Sequence, residues 1–254
     1  TAALSFGGRN PVEGQTETYN GTAWTSVNNM NNARAQLMGS GTQTSTLASG
    51  GEPALTVTET WNGTNWTEVS DLNTGKYASG AAGVSNTSSL VFGGRTPPYT
   101  TTTESWDGSS WTEVNDMNTA RGYLGGTGTK TAALAFGGRA PDGSAISPAV
   151  TELWNGSNWT EVNDMNTVRR TLAGAGVTTS ALAFGGTNGS KTGATEAWNG
   201  SSWTTVGTMN IARNLFGGGA GANNTSALAF GGPPATTATE EWTDPGIITK
   251  TLTT

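Results

Sequence analysis

The chain has 254 residues, with 12 Lys and Arg against 18 Asp and Glu, a net charge of −6, and neither Cys nor His. Disulfides, thiolate zinc sites, cysteine nucleophiles and imidazole bases are thereby excluded. The negative balance argues against non-specific nucleic-acid binding, which works by neutralising phosphates. The 38 glycines are about twice the usual share, so any core is built around many tight turns, and no apolar run is long enough to insert in a membrane.

Read in chain order, one pattern recurs. The opening TAALSFGG reads as the middle of a strand and lacks the basic start of a secretion signal, which suggests a segment of something longer. It ends at Gly7-Gly8 and is followed by a strand around Glu17 and Tyr19, closing a first copy at about 1–27. Arg34 then heads an inner strand A, strand B ends at Gly50-Gly51, strand C carries Glu59 and Trp61, and strand D opens at Trp66, over about 34–69. The same order follows over about 76–114 (Lys76, Gly93-Gly94, Glu104, Trp106) and 121–162 (Arg121, Gly137-Gly138, Glu152, Trp154). It continues over 169–206 (Arg169, Gly185-Gly186, Glu196, Trp198) and 213–252 (Arg213, Gly231-Gly232, Glu240, Trp242), where Ile247 takes the place of the second Trp.

The first aromatics of strand C, from Tyr19 to Trp242, are separated by 42, 45, 48, 44 and 44 residues. A period in the forties with four short strands is that of a propeller blade, a unit too small to bury its own faces. Asn-Gly or Asp-Gly between strands C and D (Asn62-Gly63, Asp107-Gly108, Asn155-Gly156, Asn199-Gly200) supplies the tight reversal. Strand A is placed over Arg121–Gly128 in the third full copy. The ten Trp are read as cement between blades, with sugar stacking as the other use.

The Gly pair closing strand B, the paired aromatics of C and D and the Met-Asn-x-x-Arg that follows resemble the kelch repeat. The resemblance covers nearly the whole chain and implies a single all-β domain over 1–254, a six-bladed kelch-type propeller with four-stranded blades. Strand A occurs only five times, so the first blade is expected to lack its inner strand and to be completed by a neighbouring chain or an upstream domain. The Thr, Asn and Gly wording also resembles arrays in phage and marine viral particle proteins. Kelch propellers serve many tasks, so the resemblance speaks for fold more than function. The copper ligands of galactose-oxidase-like relatives, which include His and a Cys–Tyr pair, are missing here.

Ten of the twelve basic residues fall in the B–C and D–A loops, which share one face of an up-and-down blade. Arg34, Arg121, Arg169 and Arg213 recur in step with Glu59, Glu152, Glu196 and Glu240, so a buried pair is the bland use and a ligand contact the sharper one. Arg9, Arg95 and Arg139 have no repeated partner and, with Tyr99, are the stronger ligand candidates. The B–C loops also hold most of the variety in a uniform chain, where selectivity belongs. Asp71, Asp116 and Asp164 fall short of a calcium cage, and no metal or cofactor is expected.

The expected function is that of a non-catalytic binding or adhesion module, extracellular or on a virion or its fibre, contacting a surface glycan or protein. A purely structural assembly or decoration module is the alternative. An enzyme is not expected.

Overall fold

The computed structural model describes residues 2–9, 11–141, 149–214, 217–218, 223–232, 237–243 and 250–252. These form 23 strands and no helix. The first sheet has three strands, β1 (Ala3–Gly8), β2 (Glu13–Tyr19) and β3 (Trp24–Val27). The next two sheets are β4 (Met38–Thr42), β5 (Ser45–Ser49), β6 (Thr58–Trp61), β7 (Trp66–Val69), and β8 (Gly80–Ser85), β9 (Ser88–Phe92), β10 (Thr103–Trp106), β11 (Trp111–Val114). Then come β12 (Gly125–Thr129), β13 (Ala132–Phe136), β14 (Thr151–Trp154), β15 (Trp159–Val162), and β16 (Ala173–Val177), β17 (Ser180–Phe184), β18 (Ala194–Trp198), β19 (Trp203–Thr208). The last sheet is β20 (Gly217–Gly218), β21 (Ser226–Phe230), β22 (Thr239–Thr243) and β23 (Lys250–Leu252). Each sheet is an antiparallel meander, and together they make a β-propeller.

The expectation of a six-bladed propeller is corrected. Four-stranded blades number five, and the sheet β1 to β3 has three strands. Among the described residues nothing pairs with the inner edge of β1, so that sheet does not contribute a strand at the axis. In the last blade the inner strand is described only over two residues, Gly217 and Gly218. Of the segment expected as the last outer strand, 250–252 pairs with β22, whereas residue 247 lies outside the described residues.

The strand types follow from where each lies in a blade. Second strands such as β13 (AALAF) are covered on both faces and read as a continuous apolar run, with Leu134 and Phe136 fully buried. Outer strands such as β15 (WTEV) bury the Trp and expose Thr and Glu. Inner strands are rich in Gly because neighbouring blades approach closely there. A Cβ on Gly126 would stand 2.8 Å from the Ala81 amide nitrogen and 2.8 Å from the Phe92 ring. The C–D hairpins explain the Asn-Gly pairs: Asn62 Oδ1 accepts from the amides of Thr64 and Asn65, and Gly63 takes φ +94.

Tryptophan joins the blades. Eight of the ten Trp are buried, which settles their use as packing groups. Each outer-strand indole reaches back to a Thr on the preceding sheet: Trp66 to Thr16, Trp111 to Thr58, Trp159 to Thr103 and Trp203 to Thr151, at 3.0–3.2 Å. Phe6, Phe92 and Phe136 meet the Trp of the next sheet edge-on at 4.8–5.1 Å between centroids. Trp24 of the first sheet makes the same contacts with the last blade, to Phe230 and Thr239, so the ring closes without a shared strand.

Candidate functional site

The basic residue heading each inner strand is buried against the Glu of the third strand of its own blade. Lys76 and Glu104 lie 3.1 Å apart, Arg121 and Glu152 2.5 Å, Arg169 and Glu196 3.1 Å, and Arg213 and Glu240 2.7 Å; Arg34 pairs with Glu59 in the same way. All five cations are fully buried. Each carboxylate is further held by the loop arriving from the preceding sheet: the Asn118 amide and its Nδ2 donate to Glu152 Oε2, and the Thr119 amide to Oε1. Burial pulls Lys76 and Arg121 below their usual ranges and Arg169 down to about 10, while the facing Glu opposes the shift. Of the residues singled out in the sequence, Arg34, Arg121, Arg169 and Arg213 are therefore spent inside the blades, with no surface for a ligand.

Two residues beyond Arg34, Lys76, Arg121 and Arg169 the chain turns through the left-handed region. Gln36, Ala78, Tyr123 and Thr171 have φ of +53, +53, +58 and +55. They are linked in series around the axis: the Ala78 amide donates to Gln36 O (3.0 Å), Tyr123 to Ala78 O (2.6 Å) and Thr171 to Tyr123 O (2.8 Å). Non-glycine residues in this region are strained and gather at functional positions. Directly after them, Leu37–Gly39, Ser79–Ala81, Leu124–Gly126 and Leu172–Gly174 line an axial channel of about 210 Å³. The four residues thus form a rim on which one backbone geometry presents four different side chains. This rim has only a faint trace in the sequence: both positions after the cation change from copy to copy (Ala35-Gln36, Tyr77-Ala78, Gly122-Tyr123, Arg170-Thr171) between a repeated cation and a repeated strand.

The B–C loops lie beside the rim. Backbone bridges join Tyr77 to Arg95, Gly122 to Arg139 and Arg170 to Thr187, so B–C and D–A loops share one face. Arg95 is the centre of the most developed cluster there. Its guanidinium lies 5.2 Å from the Tyr99 ring and 5.5 Å from the Tyr77 ring, within cation–π range. A side-chain hydrogen bond with the rim residue Tyr123 raises its pKa, and burial raises that of the Tyr77 phenol. Three of the chain's four tyrosines thus surround one arginine, whose buried Nε has no hydrogen-bond partner among the described residues.

The other candidates are not brought to this cluster. Arg9 is half exposed and lies 3.5 Å from Glu52, whose carboxylate also accepts from the rim residue Gln36. Arg139 stands on the next B–C loop, half-buried, its backbone bridged to Gly122. Only Arg95 and Tyr99 are in contact, and Tyr77 and Tyr123 complete what the sequence reading missed. Asp71, Asp116 and Asp164 each accept a backbone amide, from Thr58, Thr103 and Thr151, which is turn chemistry. No family model matches this sequence, and no curated protein matches it either.

Proposed function

We propose that the chain is a non-catalytic, kelch-type binding module whose working face is the one formed by the B–C and D–A loops. The observation that carries this reading is the gathering of Tyr77, Tyr99 and Tyr123 around Arg95, next to a strained rim of dissimilar side chains. Aromatic faces with an arginine fit a sugar ring bearing a carboxylate or sulfate, since the rings cover the apolar face and the guanidinium bonds the anion. The repeated Glu59, Glu104, Glu152, Glu196 and Glu240 are held by buried cations, Asp71, Asp116 and Asp164 by turn bonds, and Glu52 on the loop face is engaged by Arg9 and Gln36. A surface glycan on a host cell, met by an extracellular or virion-borne fibre, is the ligand class proposed; a surface protein is the other partner that such a face would take.

The test is a glycan array that includes uronic-acid and sulfated sugars, probed with the native chain and with Arg95→Ser and Tyr99→Ala. Selective binding by the native chain, lost in both variants, supports the reading. Absence of binding to every glycan by a folded protein removes the glycan class. A second reading, a structural module for assembly, is favoured by the inner edge of β1, which no strand among the described residues covers.

A further inference from the structure

We infer that the inner edge of β1, with Glu17, is an acceptor site for one extended strand of defined chemistry. Glu17 on β2 occupies the place that Glu104 and Glu152 hold on β10 and β14, flanked by Thr16 and Tyr19 as those are by Thr103 and Trp106. In the five four-stranded blades this carboxylate is buried with a cation on it. Glu17 is half-buried and has no cation among the described residues. The strand beside it is uncovered in the same way. Leu134, Ala135 and Phe136 of β13 are fully buried, whereas their counterparts Leu4, Ser5 and Phe6 of β1 are half exposed. An acceptor is therefore present, and its donor strand is not among the described residues.

The other blades specify that donor. In two of them the arginine donates to a carbonyl of the second strand and to one just past its end as well as to the Glu: Arg34 to Ala48 O and Gly50 O, Arg169 to Ala183 O and Gly185 O; Arg121 likewise donates to Ala135 O. The equivalent acceptors here are the carbonyls of Gly7 and Ser5. Three residues before each Arg an Asn caps the carboxylate, as Asn118 and Asn166 do. Four residues after the cation, the inner strand pairs with the last residue of the second strand, and the two sizes compensate. Gly80, Gly125, Ala173 and Gly217 stand opposite Phe92, Phe136, Phe184 and Phe230, while Met38 stands opposite Ser49. The residue at that place in β1 is Phe6, so the arriving strand must carry Gly or Ala there. The partner is thus an extended peptide of the form Asn-x-x-Arg/Lys-x-x-x-Gly/Ala, followed by small residues, antiparallel to β1.

The probe is a synthetic peptide of residues 118–130, NTARGYLGGTGTK, titrated against the intact chain up to millimolar concentration, with hydrogen exchange of segment 3–6 as the second readout. Binding with slowed exchange at 3–6 is expected. Arg121→Gln or Gly125→Leu within the peptide, or Glu17→Gln in a protein whose melting is unchanged, should each weaken it by about tenfold or more, the scale of a lost charge-assisted bond or a steric clash. Absence of binding overturns the inference, as does binding indifferent to all three changes. Self-association of the chain alone that protects 3–6 also overturns it, since a second copy would then fill the edge.

Discussion

Trp24 and Thr239 are 215 residues apart, yet the indole Nε1 donates to the Thr hydroxyl at 2.8 Å. This bond, with the Phe230 ring 4.8 Å from that of Trp24, is the seam at which the three-stranded sheet meets the last blade. The same Trp-to-Thr bond joins the internal neighbours, so closure reuses the contact of the repeat. Trp24→Phe removes the donor and leaves Thr239 short of a partner, a cost of about 1–2 kcal/mol. Trp24→Ala also opens a cavity and should cost about 3 kcal/mol. Urea titration followed by fluorescence of the remaining Trp checks both values, and a change below about 0.5 kcal/mol for Trp24→Ala would show that the seam is not closed in solution.

The buried cations predict a sharp contrast among arginines. Removing one side of a buried pair leaves an uncompensated charge, so Arg121→Met should destabilise by about 3–5 kcal/mol with Glu152 stranded. Arg9 is half exposed beside Glu52, and Arg9→Ser should change stability by no more than about 0.5 kcal/mol. Chemical denaturation of the two variants against the native chain gives the comparison directly.

One hairpin carries an acid sensitivity that the others lack. Asp107 Oδ1 accepts from the amides of Ser109 and Ser110, as Asn62, Asn155 and Asn199 do for their own turns. Those bonds lower the Asp107 pKa from 3.8 to about 2. Because the folded pKa lies below the unfolded one, the turn's contribution is present above about pH 4 and is lost as pH falls towards 2. Carboxyl-detected NMR should place the Asp107 midpoint near 2, with Asp107→Asn neutral at pH 7 and free of that acid transition. A midpoint near 3.8 would mean that the turn bonds are absent.

Repetition made the blades legible: the Gly pairs, the Trp at the head of each outer strand and the matched Arg and Glu all recur at fixed places. The inner strands are shorter than the sequence pattern suggests. The pattern gives strand A over Arg121–Gly128, but β12 begins at Gly125, because Arg121 points into its blade and Tyr123 turns left-handed before the ladder starts. The count of six follows the second and third strands, which recur six times, whereas strand A recurs five times and the four-stranded blades number five. The Arg95 cluster was half visible. Tyr99 was noted in its loop, but Tyr77 and Tyr123 belong to D–A segments of two different blades, and only the ring arrangement brings them to one guanidinium.

The rim gives a further expectation. Tyr123 spends backbone strain of about 1 kcal/mol or more in a conformation that Gly adopts freely. Tyr123→Gly should therefore leave the melting temperature within a few degrees of native, while loosening Arg95 and lowering ligand retention. A large drop in melting temperature would make Tyr123 a structural residue and not a contact.

The central claim is that the B–C and D–A loop face does the binding. Its most direct test is retention of the chain on the glycan it binds best, measured at two salt concentrations. The native chain is compared with a triple variant, Arg9→Ser, Arg95→Ser and Arg139→Ser, and with a C–D hairpin variant, Ser109→Lys and Ser157→Lys. Exposed charges are screened over about 8–10 Å at physiological salt, so native retention should fall as salt rises. The triple variant should lose retention and the hairpin variant should keep it. Unchanged retention in the triple variant, with loss in the hairpin variant, would place the working face at the opposite end of the propeller.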